Sequence, residues 1–179
     1  MTEQVIMAGF GGQGMLLAGQ ILAYAGLDEG KNVSWLPSYG PEMRGGTANC
    51  CVIVSDEEIG SPVVAEADTV IVMNRPSLDK YESAVKTGGL LIINSSLIDQ
   101  KSTRKDIDVV YVPANELAEE LGTSKAANMV ALGAYLERTG VVSPKSALAA
   151  LEKKMGPKKA KFIPMNERAM QAGADVAQK

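Results

Sequence analysis

The sequence contains no histidine among its 179 residues. Histidine is the commonest general base near neutral pH and the commonest metal ligand, so its absence removes the usual route to both kinds of site. A serine or cysteine nucleophile activated by histidine is excluded for the same reason. The glycine-rich phosphate loop that ends in a lysine followed by serine or threonine is also missing. The composition therefore argues against a chain that is a complete enzyme on its own.

Cysteine is nearly absent as well. The two cysteines, Cys50 and Cys51, are neighbours in the chain, and neighbours rarely form a disulfide. They also lack the spacing of a zinc or iron–sulfur site. No apolar run approaches the roughly 18 residues that cross a membrane, and the first residues have no basic region typical of a signal peptide. We therefore expect no metal bound by this chain, no membrane association and a cytoplasmic location.

Excess positive charge is missing too, although charge is distributed unevenly. The net charge is −3, which argues against a general nucleic-acid-binding protein. Residues 1–100 carry 5 basic and 12 acidic side chains, whereas residues 101–179 carry 13 basic and 9 acidic ones. Five of the lysines lie between Lys153 and Lys161. They fit either a solvated helix end or a surface for a phosphate or a partner.

The remaining composition is that of an ordinary globular protein, with 46% apolar and 22% charged residues, and predicts one domain over residues 1–179. Apolar runs alternate with helical patterns. This predicts an α/β fold: an open, doubly wound, mostly parallel sheet with helices on both faces, similar to a Rossmann fold. Strands are expected at 5–8, 33–36, 47–55, 69–73, 90–93 and 109–112, and helices at 13–27, 78–86, 116–121, 125–138, 144–155 and 166–172.

Two details of this assignment are specific enough to test. The first strand, the glycine loop, the first helix and the second strand form a β–α–β unit, which predicts parallel strands and a right-handed crossover. Pro37 is expected to end the second of those strands. Ser143 is expected to cap a helix whose first position is Pro144.

The segment GFGGQG, from Gly9 to Gly14, follows a predicted strand and opens a predicted helix. In this pattern Gly9 permits a tight turn, Gly11 allows close approach of a ligand, and Gly14 allows helix packing. Backbone N–H groups at the start of a helix favour an anionic group such as phosphate.

The other half of a dinucleotide-binding site is missing. Such a site has an acidic residue at the end of the second strand to bind the ribose. Leu36, Pro37 and Ser38 occupy this position instead, and Glu42 lies further along a loop. Three interpretations of the glycine loop remain open: binding of NAD, binding of another phosphate-bearing ligand, and a role in packing or in a partner interface.

A second glycine-containing loop, SYGPEMRGG, covers residues 38–46. It carries Tyr39, Glu42 and Arg44, and it follows the second predicted strand, so both loops are expected at one edge of the sheet. Arg44 is suited to pair with a carboxylate or phosphate, although an ion pair between Glu42 and Arg44 on the surface is an equal alternative.

Three asparagines also follow strands or open a helix: Asn94, Asn115 and Asn128. Asparagine in such places most often satisfies backbone groups, so we expect structural roles, with Asn128 bonded to a neighbouring loop.

Four segments together resemble a known family: VIMAGFGGQGMLLAGQILA, SYGPEMRGGTANCCVIVSD, IGSPVVAEADTVIVMN and AANMVALGAYL. They occur in order over nearly the whole chain, and they resemble the gamma subunit of 2-oxoacid:ferredoxin oxidoreductases, above all the 2-oxoglutarate type. The pyruvate and ketoisovalerate oxidoreductases belong to the same family, and the indolepyruvate oxidoreductase beta subunit is a related possibility.

The resemblance implies a role in the coenzyme A-dependent oxidative decarboxylation of a 2-oxoacid, with ferredoxin as electron acceptor and no activity expected from this chain alone. It implies alpha, beta and possibly delta subunits as partners. Thiamine diphosphate, magnesium and iron–sulfur clusters are then expected on those partners. This division agrees with the sequence, which has no GDG motif typical of thiamine diphosphate binding and no cysteine set for a cluster.

The resemblance also implies where the chain meets coenzyme A. The expected contact residues are glycines of the first loop and glycines and polar residues of the second: Gly9, Gly11, Gly12, Gly14, Tyr39, Glu42, Arg44, Gly45 and Gly46. No catalytic and no metal-binding residue is expected.

Overall fold

The protein contains one six-stranded sheet with helices on both faces in the computed structural model, which describes residues 1–38 and 47–179. The strands occur in the sheet in the order β2-β3-β1-β4-β5-β6. Their bounds are β1 Thr2–Phe10, β2 Asn32–Ser38, β3 Thr47–Ser55, β4 Ala67–Val72, β5 Val85–Asn94 and β6 Asp108–Val112. The predicted mostly parallel α/β sheet is confirmed.

Strand direction divides the sheet into two parts. The pairs β1–β4, β4–β5 and β5–β6 are parallel, whereas β3 is antiparallel to both β1 and β2. Strands β1 and β2 therefore run in the same direction, as predicted. They are not neighbours, however, because β3 lies between them. The inserted antiparallel strand makes the sheet mixed.

The prediction that Pro37 ends the second strand is wrong. Pro37 lies inside β2 and opposite Cys50 of β3. Strand β2 is at the edge of the sheet, so its outer side has no neighbouring strand that would need an N–H from position 37. The edge position is a tertiary property, and the local sequence could not reveal it.

The helices are distributed unevenly over the two faces. One face packs against α1, α3, α4, α5 and α6, while the other packs against α2 and loop residues such as Val64 and Ile98. The bounds are α1 Met15–Asp28, α2 Arg75–Tyr81, α3 Ala114–Glu120, α4 Ala127–Thr139, α5 Pro144–Met155 and α6 Ile163–Ala177. Within the described ranges no helix is long and apolar enough to cross a membrane.

Helix caps explain where two of these helices begin. The Oγ of Ser143 accepts a hydrogen bond from the N–H of Ser146, and Pro144 opens α5, as predicted. In α2, which begins three residues before the predicted start, the Oδ1 of Asn74 accepts from the N–H of Ser77. Hydrophobic periodicity places the start too late because the first apolar residue of α2 is Leu78, after three positions that carry no apolar periodic signal.

Helices α4 and α6 approach each other so closely that two glycines touch the opposite backbone. A Cβ added at Gly173 would meet the carbonyl of Val130, with the carbonyl carbon at 2.8 Å. A Cβ added at Gly133 would meet the carbonyl of Met170, with its carbon at 2.6 Å. Since neither backbone can retreat without moving a whole helix, only glycine fits at these crossing points.

A half-buried carboxyl group lies at the amino-terminal edge of the sheet. Glu3 accepts hydrogen bonds from the hydroxyls of Thr69, at 2.7 Å, and Tyr135, at 3.4 Å. Burial raises the pKa of Glu3 above its ordinary value, and the negative charge of Asp68 acts in the same direction; the Thr69 hydrogen bond opposes them. The folded state therefore binds the Glu3 proton more tightly than the unfolded state does.

This shift predicts a pH effect on stability. Because the folded-state pKa of Glu3 is raised, its contribution is fully present below the unfolded-state pKa and is lost as pH rises through the folded-state pKa. The Glu3→Gln variant should therefore gain stability relative to wild type between pH 4 and pH 7. Urea unfolding across this range measures the difference. The exposed Glu58→Gln variant removes the same charge and is the control; an equal trend in both variants would contradict the prediction.

Candidate functional site

The carboxyl ends of the parallel strands form the edge where both glycine-containing segments attach. Phe10, the last residue of β1, is opposite Thr47, the first residue of β3. Ser38, the last residue of β2, is opposite Asn49. The segment between β2 and β3 is therefore anchored at the same edge as the glycine loop, as predicted. The expected contact residues Tyr39, Glu42, Arg44, Gly45 and Gly46 belong to that segment and lie outside the described residues.

The glycine loop is closed by a side chain that the sequence pattern did not single out. Gln13 Oε1 accepts a hydrogen bond from the N–H of Phe10 at 2.5 Å, and the Gln13 N–H donates to the Phe10 carbonyl at 3.1 Å. A Cβ at Gly9 would lie 2.6 Å from this Oε1 and 3.1 Å from Met73 Cβ. The absence of a side chain at Gly9 thus leaves space for Gln13 and for Met73, the residue after β4. The N–H of Phe10 is not available to a ligand, because it is bonded to Gln13.

Two glycines remain exposed at the tip of the loop, Gly11 and Gly12. Gly12 has a φ of 92°, in the region that favours glycine, and a Cβ there would meet no atom of the described residues within 4 Å. The tip is therefore open to a ligand or a partner. These two glycines are the predicted contact residues whose exposure in the structure suits close approach.

Gly14 lies against Asn128 of α4, and we call this contact the latch. It is the N-cap of α1 with a φ of 77°, and a Cβ on it would collide with the amide of Asn128, whose Cγ would be 2.9 Å away. The Nδ2 of Asn128 donates to the Gly14 carbonyl at 3.2 Å. The predicted hydrogen bond between Asn128 and a neighbouring loop is confirmed, and that loop is the glycine loop. The close neighbour of Gly14 is α4, not the sheet.

The start of α1 presents backbone donors without a side-chain cap. No side chain caps Gly14, and the first turn of the helix contains no acidic residue. The first N–H bonded within the helix is that of Ala18, which donates to the Gly14 carbonyl. The preceding N–H groups and the helix dipole make this end of α1 electropositive, which suits an anionic group.

Asn94 holds the other strand ends together. Its Nδ2 donates to the Met73 carbonyl at 3.2 Å and to Asn115 Oδ1 at 2.8 Å. Its Oδ1 accepts from the N–H groups of Ala114 and Ser96. Asn94 is 1% exposed. The predicted structural role of Asn94 is confirmed, because this one amide joins the end of β4 to the start of α3.

The position of β2 disfavours an NAD site. In such a site the strand that binds the ribose is next to β1. Here β3 separates the two strands, and two strand spacings place β2 about 10 Å from β1. Leu36, Pro37 and Ser38 end that strand without a carboxylate.

Burial favours the neutral thiol form of both cysteines. Burial raises the pKa of Cys50 to about 12, and burial also raises the pKa of the half-buried Cys51. Cys50 Sγ donates to the Met15 carbonyl at 3.5 Å, on the face that carries α1. Cys51 packs on the opposite face. Two cysteines separated by the sheet do not fit an iron–sulfur cluster, and residues 1–38 and 47–179 contain no group of three or more Cys, Asp and Glu side chains that could hold a metal ion.

Comparison with curated proteins gives relatives over almost the whole chain. The ketoisovalerate oxidoreductase subunit VorA of Methanothermobacter marburgensis is 40% identical over 98% of this chain, and the chain spans 37% of that protein. The chain thus spans about a third of the length of the VorA proteins that it matches. The 2-oxoglutarate synthase subunit KorC of the same organism is 38% identical over 88% of each chain.

Solved structures have the same fold. The gamma subunit of a keto/oxoacid ferredoxin oxidoreductase from Geobacter sulfurreducens is 32% identical, with a TM-score of 0.84 over 98% of both chains. A 2-oxoglutarate:ferredoxin oxidoreductase from Magnetococcus marinus, described with 2-oxoglutarate, coenzyme A and succinyl-CoA bound, has a TM-score of 0.89 at 23% identity. The match covers 99% of this chain and 31% of that one, and it supports the fold alone.

The sequence resemblance to gamma subunits is therefore confirmed by relatives whose fold and length agree with those of this chain. The family model described as pyruvate ferredoxin/flavodoxin oxidoreductase matches residues 4–176. This chain belongs to the pyruvate ferredoxin/flavodoxin oxidoreductase family.

Proposed function

We propose that this chain is the gamma subunit of a heteromeric 2-oxoacid:ferredoxin oxidoreductase. The observation that carries the proposal is the agreement with a solved gamma subunit over 98% of both chains. In this role the chain supports the coenzyme A-dependent oxidative decarboxylation of a 2-oxoacid, which yields an acyl-CoA, carbon dioxide and reduced ferredoxin. It has no activity alone and acts with alpha, beta and possibly delta subunits.

The glycine loop is the part of the chain that we expect at coenzyme A. The exposed tip at Gly11 and Gly12 allows close approach, and the uncapped start of α1 offers N–H groups to a phosphate or thiolate. Gly9 and Gly14 contribute indirectly. Their lack of a side chain leaves space for Gln13 and Asn128, which fix the conformation of the loop. Tyr39, Glu42, Arg44, Gly45 and Gly46 complete the proposed contact from the neighbouring segment, with Arg44 as the cationic member.

Thiamine diphosphate, magnesium and iron–sulfur clusters are assigned to the partner subunits. The sequence has neither a GDG motif nor a set of cysteines for a cluster. The relatives include both 2-oxoglutarate and ketoisovalerate enzymes, and we propose 2-oxoglutarate, converted to succinyl-CoA, as the substrate. An assay with both oxoacids decides between these substrates.

Reconstitution tests the proposed role. Co-expression with alpha and beta partners should give 2-oxoacid- and coenzyme A-dependent reduction of a viologen dye, while the purified chain alone should give none. A matched preparation without this chain is the control. Turnover by the alpha–beta pair that is unchanged when this chain is added would disprove a gamma-subunit role.

The Arg44→Ala variant tests the contact with coenzyme A in that assay. Loss of the guanidinium should raise the KM for coenzyme A roughly tenfold and leave the KM for the oxoacid nearly unchanged, because a charge-assisted pair to an anion contributes selectively. Initial rates over both substrate concentrations separate the two constants. Equal increases in both would indicate an assembly defect instead of a lost coenzyme contact.

Two alternatives predict other results. A free-standing nucleotide-binding module would bind NAD, NADP or FAD to the isolated chain, and calorimetry with these cofactors tests that binding. The position of β2 argues against this alternative. A beta subunit of indolepyruvate oxidoreductase would support turnover of indolepyruvate with its own partner in the same dye assay.

A further inference from the structure

A large cavity lies at the same end of the molecule as the glycine loop, among the helices of the more heavily covered face. Its volume is about 740 Å³. We call it the methionine cleft and define it by its apolar walls, which are Leu17, Met129, Leu151, Met155, Phe162 and Met165. Small-molecule sites typically fill roughly 300–1,000 Å³, so the cleft has the size of a ligand site.

The walls named above are apolar and adaptable, and the polar side chains Thr123, Asn128 and Asn166 also line the cleft. Methionine is unbranched and polarisable, and it adjusts to ligands of irregular shape. Phe162 remains 40% exposed although it lies beside this cavity. An exposed aromatic ring beside three methionines leaves apolar surface that an apolar ligand chain would cover.

Three lysines line the cleft, and no acidic side chain within residues 1–38 and 47–179 does. Lys125, Lys154 and Lys159 are exposed, and none of them has an ion-pair partner among the described residues. By contrast, the neighbouring Lys153 pairs with Asp28 at 3.3 Å. Within the cluster between Lys153 and Lys161, the structure thus distinguishes the paired Lys153 from Lys154 and Lys159, which line the cleft. The cleft is surrounded by positive charge that has no ion-pair partner among the described residues.

We propose that the methionine cleft binds an amphipathic organic phosphate, that is, a phosphate ester with an extended apolar chain. The lysines would contact the phosphate, for which ammonium groups are common partners, and the apolar walls would cover the chain. The site lies beside the exposed tip of the glycine loop and not at it, because Gly11 and Gly12 do not line the cleft, whereas Asn128, which bonds the Gly14 carbonyl, does.

Calorimetric titration of the full chain with octyl and decyl phosphate tests this assignment. Both should bind at one saturable site, and the affinity should rise roughly fourfold for each added methylene, because each buried methylene contributes about 0.8 kcal/mol. Inorganic phosphate should bind far more weakly. An affinity independent of chain length would overturn the proposal and leave only a general anion patch.

Charge variants supply the matched control. The triple variant Lys125→Gln, Lys154→Gln, Lys159→Gln should bind decyl phosphate roughly tenfold or more weakly. The triple variant Lys105→Gln, Lys145→Gln, Lys179→Gln removes the same charge away from the cleft and should bind as wild type does. Equal losses in both would overturn the proposal. Competition by coenzyme A should be absent, and displacement of decyl phosphate by it would overturn the assignment of a separate site.

Discussion

Replacing Gly173 by alanine should destabilise the protein by about 3 kcal/mol, at the upper end of the range for overpacking a tightly packed interior. The new methyl group would enter the space of the Val130 carbonyl, which belongs to the backbone of α4 and cannot rotate away. Helices α4 and α6 would have to separate, and Ala169 and Met170, both buried at this contact, would lose packing. Urea unfolding followed by circular dichroism measures the loss as a lower midpoint.

The chain offers a matched control for that substitution. Gly60 is not one of the glycines with a positive φ, and a Cβ there would meet no atom of the described residues within 4 Å. Gly60→Ala should therefore be neutral or stabilising by up to about 1 kcal/mol, because it restricts only the unfolded chain. Gly133→Ala, on the facing helix, should resemble Gly173→Ala. A Gly173→Ala protein as stable as Gly60→Ala would contradict the close helix contact.

Replacing Gly14 by alanine should have the second large effect, about 3 kcal/mol of stability together with a raised KM for coenzyme A in the reconstituted complex. Alanine pays roughly 1–2 kcal/mol for the positive φ, and its methyl group would displace the Asn128 amide. The hydrogen bond from Asn128 to the Gly14 carbonyl would then be lost. Denaturant unfolding and dye-reduction kinetics measure the two effects.

A comparison of three variants separates strain from collision. Gly12→Ala has a similar positive φ but open space, so it should lose only the conformational part, about 1–2 kcal/mol. Asn128→Ala removes the amide that the new methyl group would strike. The double variant Gly14→Ala, Asn128→Ala should lose less stability than the sum of the losses in the two single variants. The reason is that each single variant already removes the same hydrogen bond. Strict additivity would show that the latch between Gly14 and Asn128 does not determine the stability of the loop.

Local patterns in the sequence were sufficient for most elements of the fold. The apolar runs at β4 and β5 are typical of buried parallel strands, and the Ser143–Pro144 pair marks the start of α5. These local patterns could not predict the order of the strands in the sheet. The insertion of β3 between β1 and β2 depends on long-range pairing, and the edge position of Pro37 follows from it.

For the candidate site, too, the sequence pattern predicted one part and only the structure showed the other. The glycine pattern located the loop, and the exposed Gly11 and Gly12 agree with it. The residues that shape the loop are different: Gln13 is a side chain within the motif that the pattern treats as variable, and Asn128 is 114 positions away from Gly14. A spacing rule cannot specify a contact between residues so distant in sequence, because it describes backbone periodicity alone.

The sequence by itself determined that this chain has no histidine-based chemistry, no cysteine set for a cluster, and an α/β core with a glycine loop after its first strand. Only the tertiary structure decided which glycines are contact points between helices, which lysines remain unpaired, and where the methionine cleft lies. The physical reason is that composition and periodicity report on single residues and local segments. Clefts, latches and unpaired charges arise only when segments distant in sequence pack against one another.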